Sequence, residues 1–251
     1  MAGLPERHGR PIAYWVSAQI RKIFADSEVL GNLIDARQGM ATSDNNRFLR
    51  LWWEISLAKK AGLVNSHEEA KATGKKWFPL NKGGIYRKWY GNQEYLVNWE
   101  NDGEEVMGYA AELYGSPTRT IKSISEYFKA SVSWSDVTSA ESAFRWYPTG
   151  FIFDATGHSA FPNSSISAEQ LLSFCNSKLA SKLFKILNPT MHFHVGYFKL
   201  LPTAVISHSK IVSIVSNLIQ WGKDDWDSNE ISWNFTNTPL LKQDYKNQKL
   251  K

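Results

Sequence analysis

Arg37, Gln38, Thr42, Asn45, Arg47 and Arg50 lie in and just beyond a polar, glycine-containing stretch, Asp35 to Asn46. Arg, Gln and Asn can each present two hydrogen-bonding groups to one base edge, and Thr can reach base edges or phosphates. A second group follows. Lys82, Tyr86, Arg87 and Lys88 are interleaved with Trp89 and Tyr90, just after the turn signal Asn81-Lys82-Gly83-Gly84. Cations among aromatics on a hairpin can lie along a groove with their charges on phosphates. From Lys71 to Lys88 there is no acidic residue, whereas Glu100, Asp102, Glu104 and Glu105 crowd together further on. The net charge of +5 suits an anionic partner, and the 11 Trp residues supply flat apolar surface for a core or for bases.

Chemistry that breaks or makes bonds is harder to find. A methyl-donor site needs a glycine-rich loop after a strand, and Gly83-Gly84 sits instead between basic and aromatic residues. Methylating a flipped adenine needs an Asn/Asp-Pro-Pro-aromatic motif to hold the exocyclic amine. The nearest stretch, Asn188-Pro189-Thr190-Met191, lacks the second proline and the aromatic and reads as a helix stop. There is no Gly-x-Ser-x-Gly elbow for a hydrolase. Asp224, Asp225 and Asp227 read as a solvated helix end rather than a nuclease site. His192 and His194 would share one side of a strand and could bind a metal, but no Cys or carboxylate cluster accompanies them in the sequence. A packed or DNA-facing pair is the reading taken. The expectation is therefore no catalytic residue and no metal site within the chain.

These residues must be positioned by short elements in an α+β arrangement. Helical spacing begins at Pro11-Ile-Ala-Tyr-Trp-Val and runs toward Gly31. Strand-like runs follow at Arg47–Ser56, Trp77–Leu80, Ile85–Tyr90, Tyr95–Trp99, Phe128–Trp134, Ser142–Trp146, Phe151–Asp154 and Phe193–Leu201. Glu104–Tyr114, Ser167–Leu187 and Ser207–Trp221 read as helices, the second opened by Ser167 and Gln170 as a capping box. The order is not alternating strand and helix, so a mainly antiparallel, twisted sheet flanked by helices is expected. Residues 1–10 read as a disordered N-terminus, 11–205 as one domain, and 206–251 as the start of a helical spacer with a polar, linker-like tail. No window reaches about 18 consecutive apolar residues, no signal core opens the chain, and the lone cysteine, Cys175, permits no internal disulfide. A cytoplasmic setting without membrane contact is expected.

Several motifs are familiar in this order. Pro11-Ile-Ala-Tyr-Trp-Val leads to Arg37-Gln-Gly-Met-Ala-Thr-Ser-Asp-Asn-Asn-Arg-Phe-Leu-Arg-Leu-Trp-Trp. Then come Lys76-Trp-Phe-Pro-Leu-Asn-Lys-Gly-Gly, Arg87-Lys-Trp-Tyr-Gly-Asn, Val132-Ser-Trp-Ser-Asp-Val-Thr-Ser and Phe144-Arg-Trp-Tyr-Pro-Thr-Gly-Phe-Ile-Phe-Asp. Asn176-Ser-Lys, Leu187-Asn-Pro-Thr-Met-His-Phe-His-Val-Gly-Tyr-Phe and Leu201-Pro202 complete the set. From Pro11 to about Leu240 the chain resembles the region after the catalytic domain in the PglX family, the adenine-specific DNA methyltransferases of BREX phage defence. Ser43 stands where related single-chain restriction–modification enzymes carry glycine, which implies a differently shaped loop.

The resemblance implies a target-recognition domain that docks on double-stranded DNA. It adds Trp134, Ser135 and Arg145 to His192 and His194 as DNA-facing positions. S-adenosylmethionine would belong to a catalytic domain outside this chain, and partners would be that domain or other BREX components. Two other readings stand beside it: a protein-interaction subunit or remnant of a defence gene, and a DNA-cleaving enzyme whose site is not apparent.

Overall fold

A computed structural model of the chain describes residues 16–137, 142–188, 190–203 and 209–241. In chain order the elements are α1 (Ala18–Asp26), β1 (Ile34–Arg37), α2 (Asn45–Phe48), β2 (Leu49–Leu51), α3 (His67–Ala72), β3 (Trp77–Asn81), β4 (Tyr95–Asn98) and α4 (Glu100–Tyr114). They continue with β5 (Ser131–Ser135), β6 (Phe144–Tyr147), β7 (Ile152–Phe153), β8 (Gly157–Pro162), α5 (Ala168–Cys175), α6 (Lys178–Leu187), α7 (Val195–Lys199) and α8 (Ser209–Asp227). The α+β expectation holds, but the strands divide into two four-stranded sheets. The first has the order β1-β8-β5-β6 and is antiparallel throughout. The second has the order β2-β4-β3-β7, antiparallel except for the β3–β7 pair.

Each sheet has its own apolar core. Val132, Trp134, Phe144 and Ala160 of the first sheet pack with Leu171, Leu183, Phe184 and Phe198 from α5, α6 and α7, and Val215 of α8 joins them. Phe78, Leu80, Val97 and Ile152 of the second pack with Phe48, Trp99, Val106, Ala110 and Phe128. The alternation of side chains along a strand explains the seam between the sheets. In β5, Val132 and Trp134 enter the first core, so Ser131 and Ser133 face the other way. Paired with β8, Ser133 lies opposite Ser159. Asn81, at the end of β3, reaches these serines: its Nδ2 donates to Ser133 Oγ (2.5 Å), to Ser159 Oγ (3.3 Å) and to Gly157 O (3.1 Å).

Four local expectations are corrected. The strand expected over Arg47–Ser56 is only Leu49–Leu51. Asp44 caps a helical turn by accepting from Arg47 N, and Glu54 closes a second turn by accepting from Leu51 N. Trp77–Leu80 does not form a hairpin with Ile85–Tyr90. β3 pairs instead with β4, and the intervening segment is drawn across to the first sheet. There Trp89 N donates to Phe144 O and Trp146 N donates to Trp89 O. Phe193–Leu201 is not a strand. Phe198 and Leu201 are both buried, and a helical turn serves that three-residue spacing where strand alternation cannot. Ser167–Leu187 breaks into α5 and α6, because Ser177 caps a new helix by accepting from Ala180 N.

Other expectations hold in type, with shifted bounds. The Ser167–Gln170 capping box is present. α1 begins after Ser17, which accepts from Ile20 N, and the residues from Pro11 to Trp15 lie outside the described ones. α8 runs to Asp227. Its last turn is anchored by Trp226, 2% exposed, and the segment after it is not free of the body: Trp233 stacks on Phe151, and Trp52 Nε1 donates to Ile231 O.

Candidate nucleic-acid interface

Strand direction brings one set of loops together. β1, β3, β5 and β7 all end, and β4, β6 and β8 all begin, at the same end of the two sheets. Backbone contacts lock these loops to one another. Met40 N donates to Phe153 O and Ala155 N to Met40 O, while Asp154 N donates to Asn81 O. Thr156 Oγ1 donates to Lys82 O (2.9 Å), Ser135 Oγ to Gly84 O (2.9 Å), and Asp136 N to Thr156 O (2.9 Å). Phe193 N donates to Asp136 O (2.7 Å), which adds the segment before α7. The approach is so close that a Cβ on Gly39 would sit 1.9 Å from Phe153 O, so glycine is required there.

The rim carries one part of the expected DNA-binding set. Arg37 ends β1 with its side chain half exposed, and its guanidinium holds Asp35 Oδ2 at 2.7 Å. Gln38 follows, its Oε1 near Lys122 Nζ (3.5 Å). Lys82 lies 3.5 Å from buried Asp154. The loop then turns through Gly83 and Gly84, both at positive φ, and exposes Ile85 and Tyr86 side by side at 72% and 50%. Arg87 Nη1 binds Asp225 Oδ2 (2.5 Å) and the guanidinium lies over the Trp226 ring. Lys88 Nζ donates to Asn176 O (3.2 Å). His192 and His194 are exposed beside Asp136.

The other expected residues are elsewhere or turned inward. Arg47 clasps Glu105 of α4 at 2.8 Å and stacks against Phe48 and Tyr109. That contact, with Lys76 nearby, holds the Glu105 carboxyl below its ordinary range. Arg50 Nη1 donates to Asn46 O and Leu49 O and lies over Trp77 at the opposite end of β3. Thr42 is buried, with its hydroxyl on Asn45 Oδ1 (2.7 Å). Trp134 is fully buried and its indole donates to Phe193 O (2.8 Å). Arg145 is 1% exposed and braces the rim from behind: Nη1 donates to Arg87 O (3.2 Å) and Nη2 to Ser135 Oγ (3.2 Å). Thus the acid-free run from Lys71 to Lys88 is divided. Lys75 and Lys76 sit before β3, on Ala58 O and near Glu100 and Glu105, while Lys82, Arg87 and Lys88 follow it.

Sequence reasoning gave no role to His158 or Thr156, and met Asp136 and Asp154 only inside longer motifs. His158 is 1% exposed, and its Nε2 donates to Asp136 Oδ1 (3.2 Å). Burial lowers the His158 pKa against the pull of Asp136. The one available signal was Ala155-Thr156-Gly157, a turn that hands the chain into β8.

The similarity to known proteins follows the motifs. No family model matches the chain. Over 93% of its length the chain is 37% identical to the adenine-specific methyltransferase PglX of Lacticaseibacillus casei. Over the same share it is 32% identical to the adenine-specific methyltransferase BrxX of Escherichia coli. The aligned parts make up 19% and 18% of those proteins, so the chain spans about a fifth of the relatives it matches. The resemblance to the PglX family holds across nearly the whole chain. Among the described residues no helix is long and apolar enough to cross a membrane.

Proposed function

We propose that this chain is the DNA target-recognition part of an adenine-specific methyltransferase of BREX phage defence, and that it meets duplex DNA with the loop rim. Similarity over 93% of the chain to two adenine-specific methyltransferases supports the class of protein. The observation that carries the reading is the convergence of Arg37, Gln38, Lys82, Tyr86, Arg87, His192 and His194 at one end of two sheets, on loops tied together through their backbones. Base reading needs side chains held in a fixed register, and a rigid scaffold under short loops supplies it. The exposed Ile85–Tyr86 tip offers an apolar edge and a ring next to cations, as contact with bases requires. The methyl donor S-adenosylmethionine and the transfer step are assigned to the rest of such a methyltransferase. DNA and that catalytic part are the proposed partners.

Fluorescence anisotropy of a labelled duplex across a salt series tests this. Arg37→Ala and Tyr86→Ala are expected to weaken binding by about 1–3 kcal/mol. Lys71→Ala on α3, away from the rim, leaves affinity and salt slope unchanged. Each rim cation that no longer meets a phosphate lowers the slope by about 0.9. Equal binding by all three variants would contradict the reading.

A further inference from the structure

We propose that Asp136, His192 and His194 form a binding site for a divalent transition-metal ion of the zinc class. The three side chains come from two chain segments that the sequence keeps far apart. One ligand atom from each lies within 4.8 Å of the others. His192 Nδ1 is 3.1 Å from Asp136 Oδ2, and His194 Nδ1 is 3.2 Å from Asp136 Oδ1. Ligands bonded to zinc at about 2.0–2.1 Å in a tetrahedron are about 3.3 Å apart, close to both histidine–aspartate distances. Two imidazoles and one carboxylate select zinc, cobalt or copper over magnesium or calcium, which prefer oxygen.

The surroundings hold the ligands in place. Asp136 is 8% exposed, and His158 Nε2 donates to its Oδ1 from behind. That is the outer-shell contact that orients a metal-binding carboxylate. Phe193, between the two histidines, is buried, and its carbonyl takes the Trp134 indole proton. His194 keeps an extended backbone before α7, so both imidazoles emerge on one side of the pinned Phe193. Asn188 fastens the preceding turn: its Nδ2 donates to His192 O, and its Oδ1 accepts from Thr190 N and Oγ1. The histidine rings are nearly parallel, with side chains 55% and 58% exposed, so an ion has an open path and a fourth position facing solvent.

An ion would take the place between the two Nδ1 atoms and the carboxylate, each imidazole offering its Nδ1 lone pair with the ring proton on Nε2. The site lies on the rim but goes beyond DNA recognition. It would clamp the segment before α7 to the end of β5.

The test uses the untagged chain, freed of metal by chelator and dialysis, and titrated with Zn2+ against a chromophoric chelator and with Co2+ by visible absorption. One ion per chain is expected, with a Co2+ spectrum of nitrogen–oxygen coordination. His192→Ala and His194→Ala should each weaken binding at least about tenfold. Both histidines are exposed, so far-UV circular dichroism of the metal-free variants should match the parent. Asp136→Asn should lose the ion too, and the histidine variants decide the matter if that change disturbs the fold. Absence of binding at about 100 µM ion, well above ordinary zinc-site affinities, would overturn the proposal. So would undiminished binding by the His192→Ala/His194→Ala double variant.

Discussion

The first sheet buries polar groups deep behind its strands, while the helices beside the second carry exposed ion pairs. Ser133, Ser159, His158 and Arg145 are all within 1% of full burial, and each hydrogen-bonds to a partner on the sheets, on the segment that crosses between them or, for His158, on Asp136 just after β5. Beside the second sheet such pairs stand on the surface, as in Arg47 of α2 with Glu105 of α4, where both side chains are more than a third exposed. Apolar cores accept repacking as long as volume is kept, whereas a buried polar group is satisfied in few geometries. The polar seam lies where the two sheets meet, under the rim. The molecule thus fixes the loops of the proposed interface with directional bonds and leaves the far end to carbon packing and exposed charge.

That contrast can be broken or sharpened by substitution. The larger effect belongs to the seam. Asn81→Leu keeps the branched shape, at a larger volume, but removes the donor to Ser133, Ser159 and Gly157 and the acceptor for Gly83 N. A loss of about 1–3 kcal/mol is expected from the polar groups left unpaired. Chemical denaturation reads it, and a neutral result would mean the seam is not what joins the sheets. The smaller effect belongs to the clasp. Arg47→Ala should cost under about 1 kcal/mol and less at high salt, because the pair is exposed. A cost as large as that of Asn81→Leu would erase the distinction between the two ends.

Much of the fold was legible because its signals are local. The capping box at Ser167–Gln170 needs only four residues, and the helical face of α8 shows at helical spacing. What escaped was set by distant partners. β8, with Gly157, His158, Ser159 and Pro162, has poor strand propensity and becomes a strand by pairing with β1 on one side and β5 on the other. The segment Lys82–Tyr90 has a hairpin's composition, yet its backbone partners are on β6.

The candidate interface was legible in the same measure. Arg37, Tyr86 and Arg87 stood out by type. That Trp134 and Arg145 turn inward, and that Arg47 and Arg50 lie away from the rim, depends on packing that no local pattern carries. Ser43 is instructive. It departs from the glycine of related enzymes, yet it adopts φ +64, so the loop keeps a glycine-like turn at a serine. Asp136 shows the limit most clearly, because only the pairing of β5 with β8 and the bridge between Val137 and His192 bring it to the histidines.

The central claim is that duplex DNA is met by the loop rim and not by another face. Hydrogen–deuterium exchange of the chain with and without a duplex tests it most directly. The account predicts slowed exchange in Lys82–Arg87, Asp154–Gly157 and Met191–His194, with Val106–Tyr114 of α4 unchanged. Protection centred on α4, or no protection at the rim under conditions where the duplex is bound, would contradict it.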